Sequence, residues 1–184
     1  MAILIIALGG LAVSAWWFPR WRAHRRAMNE RNASTTLKTL TSAEADFRAN
    51  DRDGNGVNDF WTGDLEGLYR LGLIERGVAE ADSSPLNPLV PQPIPYRGYY
   101  YEALRLDNST TPPTAYAQDT DKTSGKVHNL ERFGFVAYPA DSGGGKYYYM
   151  INENNSIFRA AATIPRPTNW FSDNERRPFW GMID

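Results

Sequence analysis

The first eighteen residues constrain this chain more than any other stretch. From Met1 to Phe18 every residue except Ser14 is apolar or glycine. As a helix, at about 1.5 Å per residue, the run extends roughly 27 Å, close to the depth of one hydrocarbon core. Three readings compete for it: a cleaved secretory signal, a permanent membrane anchor, or the apolar half of a longer helix. A signal would carry a basic start and small residues at its cleavage site. Here no Lys or Arg precedes the run, and Trp16, Trp17 and Phe18 stand where the small residues belong. The cleaved signal is therefore the weakest of the three.

The residues beyond the run favour the longer helix. Pro19 is succeeded by no loop, and between Arg20 and Ala49 there is neither Gly nor Pro. Ala33, Leu37, Leu40 and Phe47 fall near one helical face, with Glu44 interrupting it. The spacing predicts one helix of roughly 45 to 48 residues, about 70 Å long, kinked at Pro19. Its first half is uniformly apolar and its second half is amphipathic, with one face turned to a globular head.

That layout, over Met1 to about Ala49, resembles the type IV pilins and the pseudopilins of type II secretion; Pro19 sits near where such helices commonly carry a proline. The resemblance implies an α+β fold in which the C-terminal half of the helix packs on a small antiparallel β-sheet head. The divisions are a membrane or filament-core helix at 1–19, its amphipathic continuation at 20–49, and a head at 50–184. It also implies a structural subunit, anchored in the inner membrane before assembly and then part of an extracellular homo-oligomeric helical filament. Two rivals share the same anchor: a monomeric membrane-bound binding module, and a minor pseudopilin acting in secretion. The sequence departs from the family in two respects. No basic leader ending in glycine precedes the apolar run, and Ile5 stands in the region where the family carries a glutamate. The chain is then already trimmed, or begins at an internal Met1, or is an unusual member. Arg20, Arg22, Arg25 and Arg26 directly after the run would, by the positive-inside tendency, hold the body in the cytoplasm; a basic upstream leader would oppose that bias.

Composition narrows the chemistry. Lys and Arg number 20 against 21 Asp and Glu, a net charge of -1, which gives no whole-molecule field to attract nucleic acid. With no cysteine, disulfides, thiolate metal sites and thiol nucleophiles are excluded. His24 and His128 are the two histidines. No Ser/His/acid triad or carboxylate pair can be picked out, so the expectation is a protein that is not an enzyme.

The densest acidic segment lies just past the helix, in Asn50-Asp51-Arg52-Asp53-Gly54-Asn55-Gly56-Val57-Asn58-Asp59. In the helix-loop-helix calcium pattern, ligands occupy loop positions 1, 3, 5, 7 (a backbone carbonyl) and 9, with glycine at 6. Asp51, Asp53, Asn55, Val57 and Asp59, with Gly56, meet each of these requirements. Three carboxylates in nine residues repel one another, and a hard dication held by oxygens relieves that. The twelfth position, normally a bidentate glutamate, is Thr62, with Asp64 or Glu66 as substitutes if the chain folds back. The expectation is a structural Ca2+ in a loop spanning 51–62, fixing the junction of helix and head. The plainer alternative is a polar Asx and glycine turn, part-neutralised by Arg48 and Arg52.

In the head, 64–73 predicts a short helix ended by Gly72 or Gly77, followed by an irregular segment with Pro85, Pro88, Pro91, Pro93 and Pro95. Strands are expected at 99–106, 132–138, 146–152 and 156–161, forming a four-stranded sheet, with a polar loop at 107–131. The tail, 163–184, carries Trp170, Phe171, Phe179 and Trp180, and is too aromatic to float; it docks on its own head or on a neighbouring subunit. Tyr99-Tyr100-Tyr101 and Tyr147-Tyr148-Tyr149 read as strand residues alternating between core and surface rather than as sugar platforms. Gly143-Gly144-Gly145-Lys146 precedes a strand, so it reads as a hairpin turn and not a phosphate loop. Asn32, Asn108 and Asn154 begin glycosylation sequons, of which Asn108 is the best placed.

Overall fold

A computed structural model describes residues 2–83, 92–118, 120–122 and 125–183, with side chains for 20–83, 92–118 and 128–183. The chain is α+β. Helix α1 (Ala2–Asn50) runs without interruption through position 19. The expected apolar stripe is real: Ala33, Leu37, Leu40 and Phe47 are all fully buried. Among the described residues no helix is long and apolar enough to cross a membrane; the side chains of the run 1–18 lie outside that set.

Helix α2 (Leu65–Arg70) starts at Asp64, whose carboxylate accepts the Gly67 N–H at 2.7 Å, an N-cap that satisfies one of the free amides of the first turn. It stops at Gly72, whose φ of 71° suits glycine. Gly77 does not end it but lies inside a second short helix, α3 (Arg76–Glu80), which the sequence does not announce. Of the proline segment, 84–91 lies outside the described residues; Pro93 and Pro95 fall in irregular chain.

The expected strand 99–106 is divided. Its first part, β1 (Tyr99–Ala103), belongs to the main sheet; its end, β2 (Leu106–Asp107), leaves to pair with β3 (Thr114–Ala115). The break occurs because Arg105 N–H bonds to the Thr168 carbonyl, and the Leu106 carbonyl takes the Trp170 N–H, so the tail captures the chain. The polar loop 107–131 is also more ordered than expected, since it holds that ribbon and a second one, β4 (Thr120–Lys122) with β5 (Gly125–Val127). The meander comes next as β6 (Gly134–Pro139), β7 (Tyr147–Asn152) and β8 (Ile157–Ala161). Helix α4 (Asp173–Phe179) and β9 (Gly181–Met182) complete the chain. The sheet therefore has five strands rather than four, in the order β1-β6-β7-β8-β9, all antiparallel.

Strand alternation buries both faces of this sheet. Phe135, Ala137, Tyr149 and Ile151 join Tyr99 and Tyr101 under α1, whereas Val136, Met150, Phe158 and Ala160 point the other way. That second face is covered by the molecule's own tail, with Trp170 stacked on Phe171 at 4.6 Å and Phe171 on Trp180 at 5.2 Å. Of the tyrosine triplets, Tyr99, Tyr101 and Tyr149 are core residues; Tyr100 leans on Tyr138 at the surface.

Candidate functional site

Two features stand out: a helix that extends beyond its head, and the junction where it ends. Helix α1 is 49 residues long, about 74 Å at 1.5 Å per residue. Arg20 to Arg25 are all exposed. The helix is pinned to the head's glycine turn by Asn29, which donates to the Gly144 carbonyl at 3.0 Å, and by Glu30, which accepts the Lys146 N–H at 2.9 Å. The guanidinium of Arg25 lies 4.8 Å from the centre of the Trp21 ring.

At the other end α1 closes with a Schellman turn. The Arg52 N–H returns to the Phe47 carbonyl at 3.3 Å, while Asp51 adopts a φ of 45°. From there the loop is wound around its own side chains. Asp51 Oδ2 accepts the Gly56 N–H at 3.0 Å, Asp53 Oδ1 the Asn55 N–H at 3.4 Å, and Asn55 Oδ1 the Val57 N–H at 2.7 Å. Gly56, at the sixth loop position, has a φ of 75°, which permits the sharp turn. Asn55 Nδ2 donates to Asp53 Oδ2 at 3.0 Å and to Asp59 Oδ2 at 3.5 Å, so one amide group stands between two carboxylates. Asp59 Oδ2 also takes the His128 N–H at 2.7 Å.

Burial alternates along the loop. Asp51 is half-buried, Asp53 is exposed as a residue but has a side chain only 18% exposed, and Asn55 and Asp59 are 4% and 0% exposed. Burial, together with the charge of Asp59, pushes the Asp53 carboxyl above its ordinary value, against the Asn55 N–H that favours the anion. The basic side chains expected to neutralise the loop are engaged elsewhere. Arg52 grips Asp46 on the helix through Nε and Nη2 at 2.9 and 3.0 Å, and Arg48 lies 4.7 Å over the Phe60 ring. His128 Nε2 stands 3.9 Å from Asp53 Oδ2. Among the described residues no group of three or more His, Asp or Glu side chains converges on a point that would hold a metal ion.

The suggested substitutes for the twelfth position are committed to other tasks. Asp64 caps α2, and Glu66 pairs with Arg70. Thr62 itself is 6% exposed with an unpartnered hydroxyl.

Glu44, which looks in sequence like a fault in the apolar stripe, belongs to this junction. It is 0% exposed, and its Oε2 accepts the Trp61 N–H at 2.8 Å while Oε1 has no partner. Burial, aided by the Asp59 charge, holds its carboxyl well above the usual range, although the Trp61 N–H favours the anion. The Trp61 ring packs 4.2 Å from His128 and 5.8 Å from Phe47, and its Nε1 donates to the Asp64 carbonyl at 2.7 Å. The sequence signal that could have flagged Glu44 was its place on an otherwise apolar face.

Residues 20–163 match the model of a family described as "Protein of unknown function (DUF2950)". That match takes in the part of the helix that packs on the head, the junction and the sheet through β8. No curated protein and no solved structure matches the chain.

Proposed function

We propose that this chain, which belongs to the DUF2950 family of proteins of unknown function, is a structural subunit of an extracellular, type IV pilus-like filament, held in the inner membrane by its apolar helix before assembly. What supports the reading above all is that α1 outruns its head. Its contacts with the head run from Trp21, which borders the head's glycine turn, to Arg48 over Phe60, leaving Ala2 to Arg20, about 28 Å of helix, ahead of them. In sequence most of those residues are apolar on every side, and such a surface needs lipid or copies of itself around it. Copies stacked along a screw axis would meet through heterologous contacts, the kind that propagate into fibres rather than closing into rings. One face of the head's sheet is covered by the second half of α1 and the other by the tail, so the apolar first half of the helix is the surface left for assembly.

The test is electron microscopy of filaments sheared from cells, with mass spectrometry of their peptides. Uniform fibres yielding head peptides of this chain are the expected result. Recovery solely as a detergent-soluble monomer would replace the proposal with a membrane-anchored binding module; loss of another protein's export on deletion, without fibres, would point to a minor pseudopilin.

A further inference from the structure

We infer that the loop at the end of α1 binds a calcium ion through the side-chain oxygens of Asp51, Asp53, Asn55 and Asp59 and the carbonyl of Val57, and that the ion ties the stalk helix to the head. The spacing of these oxygens is one ground. The independent one is Asp59: its side chain is fully buried, its Oδ2 reaches the loop through the Asn55 amide, and its Oδ1 has no hydrogen-bond partner. A buried carboxylate oxygen without a partner is expensive to maintain, and native proteins rarely keep one without a use. Asp51 Oδ1, at the first loop position, is likewise buried as an atom and unpartnered, as is the Thr62 hydroxyl at the twelfth.

The electrostatics point the same way. Asn55 Nδ2, the positive end of an amide dipole, sits between the carboxylates of Asp53 and Asp59, which marks where a cation would be most stabilised. Arg52 and Arg48 are drawn off to Asp46 and Phe60, so neither supplies that charge. To coordinate the ion, Asn55 must turn its amide so that Oδ1, which accepts the Val57 N–H, replaces Nδ2 between the two carboxylates. The donors are all oxygens, mixing carboxylate, amide and main-chain carbonyl on a turn-rich loop. That mixture suits calcium, which accepts six to eight oxygens in flexible geometry, better than magnesium, which demands a tight octahedron.

The mechanical consequence comes from where the ligands sit. Asp51 is the first residue beyond α1, and Asp59 is bonded to His128 of the head. One ion shared by both couples the end of the helix to the segment that pairs Phe60 with Asn129. This inference does not depend on filament assembly, because a dispersed monomer would bind equally well.

The experiment uses the full chain in detergent micelles, stripped with EDTA, then titrated with calcium chloride alone or magnesium chloride alone in a calorimeter and in thermal melts. One saturable calcium site is expected, with a dissociation constant on the order of 10⁻⁴ to 10⁻³ M. At about tenfold excess over that constant the melting temperature should rise by roughly 3–6 °C. Asp51→Asn keeps the acceptor of the Gly56 N–H and should melt as the unaltered chain does in EDTA, Asp53→Asn keeps the acceptor of the Asn55 N–H but gives up the one for the Asn55 side-chain amide and should melt slightly lower, and both should lose the calcium-induced rise. Absence of binding heat and of any melting shift in the unaltered chain would overturn the inference. So would calcium binding that survives in both variants, or magnesium binding as tightly as calcium.

Discussion

Glu44→Gln is the substitution that most directly tests how the junction is built. Glu44 is fully buried, one oxygen holds the Trp61 N–H, and the other faces no donor. Its carboxyl is raised by burial and by the Asp59 charge. The native fold therefore favours the protonated form more than the unfolded chain does. The stabilisation from that proton is fully present below the unfolded value, near 4.5, and is lost as pH rises through the higher folded value. At neutral pH the wild type carries an uncompensated cost that glutamine avoids, since Gln keeps an acceptor for Trp61 and adds donors to a site facing Asp59. Relieving one buried, unsatisfied oxygen is worth about 1–3 kcal/mol. For a chain of 184 residues this is a rise in melting temperature of roughly 2–12 °C at pH 7. Thermal melts from pH 4 to 8, in EDTA, should show the Gln variant's advantage shrinking toward acid pH. Glu44→Ala should go the other way, losing about 2–3 kcal/mol by leaving the Trp61 N–H unpaired and a cavity behind. If Gln and Ala both destabilise at pH 7, or if the Gln effect does not vary with pH, then Glu44 is held as an anion and the reasoning fails.

Other parts of the fold allow equally direct tests. Gly67→Ala would drive a Cβ into the Trp61 ring, so overpacking of about 1–3 kcal/mol should appear as a lower melting temperature and an altered tryptophan emission; unchanged melting would mean that the ring does not lie there. Arg166 pairs with Glu102, whose side chain is 1% exposed, and covers the Tyr138 ring at 4.1 Å. Burial raises the Glu102 carboxyl even with Arg166 and Arg105 beside it. Arg166→Ala should therefore cost about 2–3 kcal/mol at pH 7 and less at acid pH, and adding Glu102→Gln should recover part of the loss in the same melts. A chain ending at Thr163 would lack Trp170, Phe171 and Trp180 and bare Val136, Met150 and Phe158; losing three such aromatics, at about 1.5–3 kcal/mol each, approaches the whole stability of a domain, so circular dichroism should show it unfolded.

What the sequence revealed depended on how local the determining interaction was. The span of α1 was readable because thirty residues without Gly or Pro, bearing a regular apolar stripe, leave few alternatives to helix. Strands β6 to β8 were readable because Phe135 to Ala137 and Tyr149 to Ile151 alternate between two buried faces with turn residues between them. The break after Ala103 was not, because the residues that draw Arg105 and Leu106 out of the sheet are Thr168 and Trp170, more than sixty positions away. Helix α3 and strand β9 are too short to carry a period. At the junction the alternation of Asp51, Asp53, Asn55 and Asp59 was visible, as was the need for a turn at Gly56. The sequence could not show that Arg52 would turn back to Asp46, or that Asp59 would be sealed in by His128, 69 residues further on. Glu44 was seen only as an interruption, since its partner amide belongs to a loop that first has to fold back along the helix.

That fold-back bears on a problem peculiar to long helices resting on sheets. An apolar stripe built from Ala33, Leu37, Leu40 and Phe47 repeats with the helical turn, so a slip of one turn would exchange one set of apolar contacts for a similar one at little cost. Apolar burial alone therefore holds the stalk to the head without fixing its register. The polar contacts are what discriminate. Asn29 and Glu30 meet the glycine turn at one end of the contact, and Glu44 meets Trp61 at the other. A one-turn slip would move Glu44 away from its amide and leave a buried carboxylate and a buried N–H both unpaired, which costs several kcal/mol and outweighs anything the stripe could regain. A buried polar residue at a core position of a coiled coil selects register in the same way, at the expense of stability. On this account the raised carboxyl of Glu44 and the stabilisation expected of Glu44→Gln have one cause: the position exchanges some stability for a single seating of the stalk, and glutamine, which can still accept the Trp61 N–H, should keep that seating while removing most of the penalty.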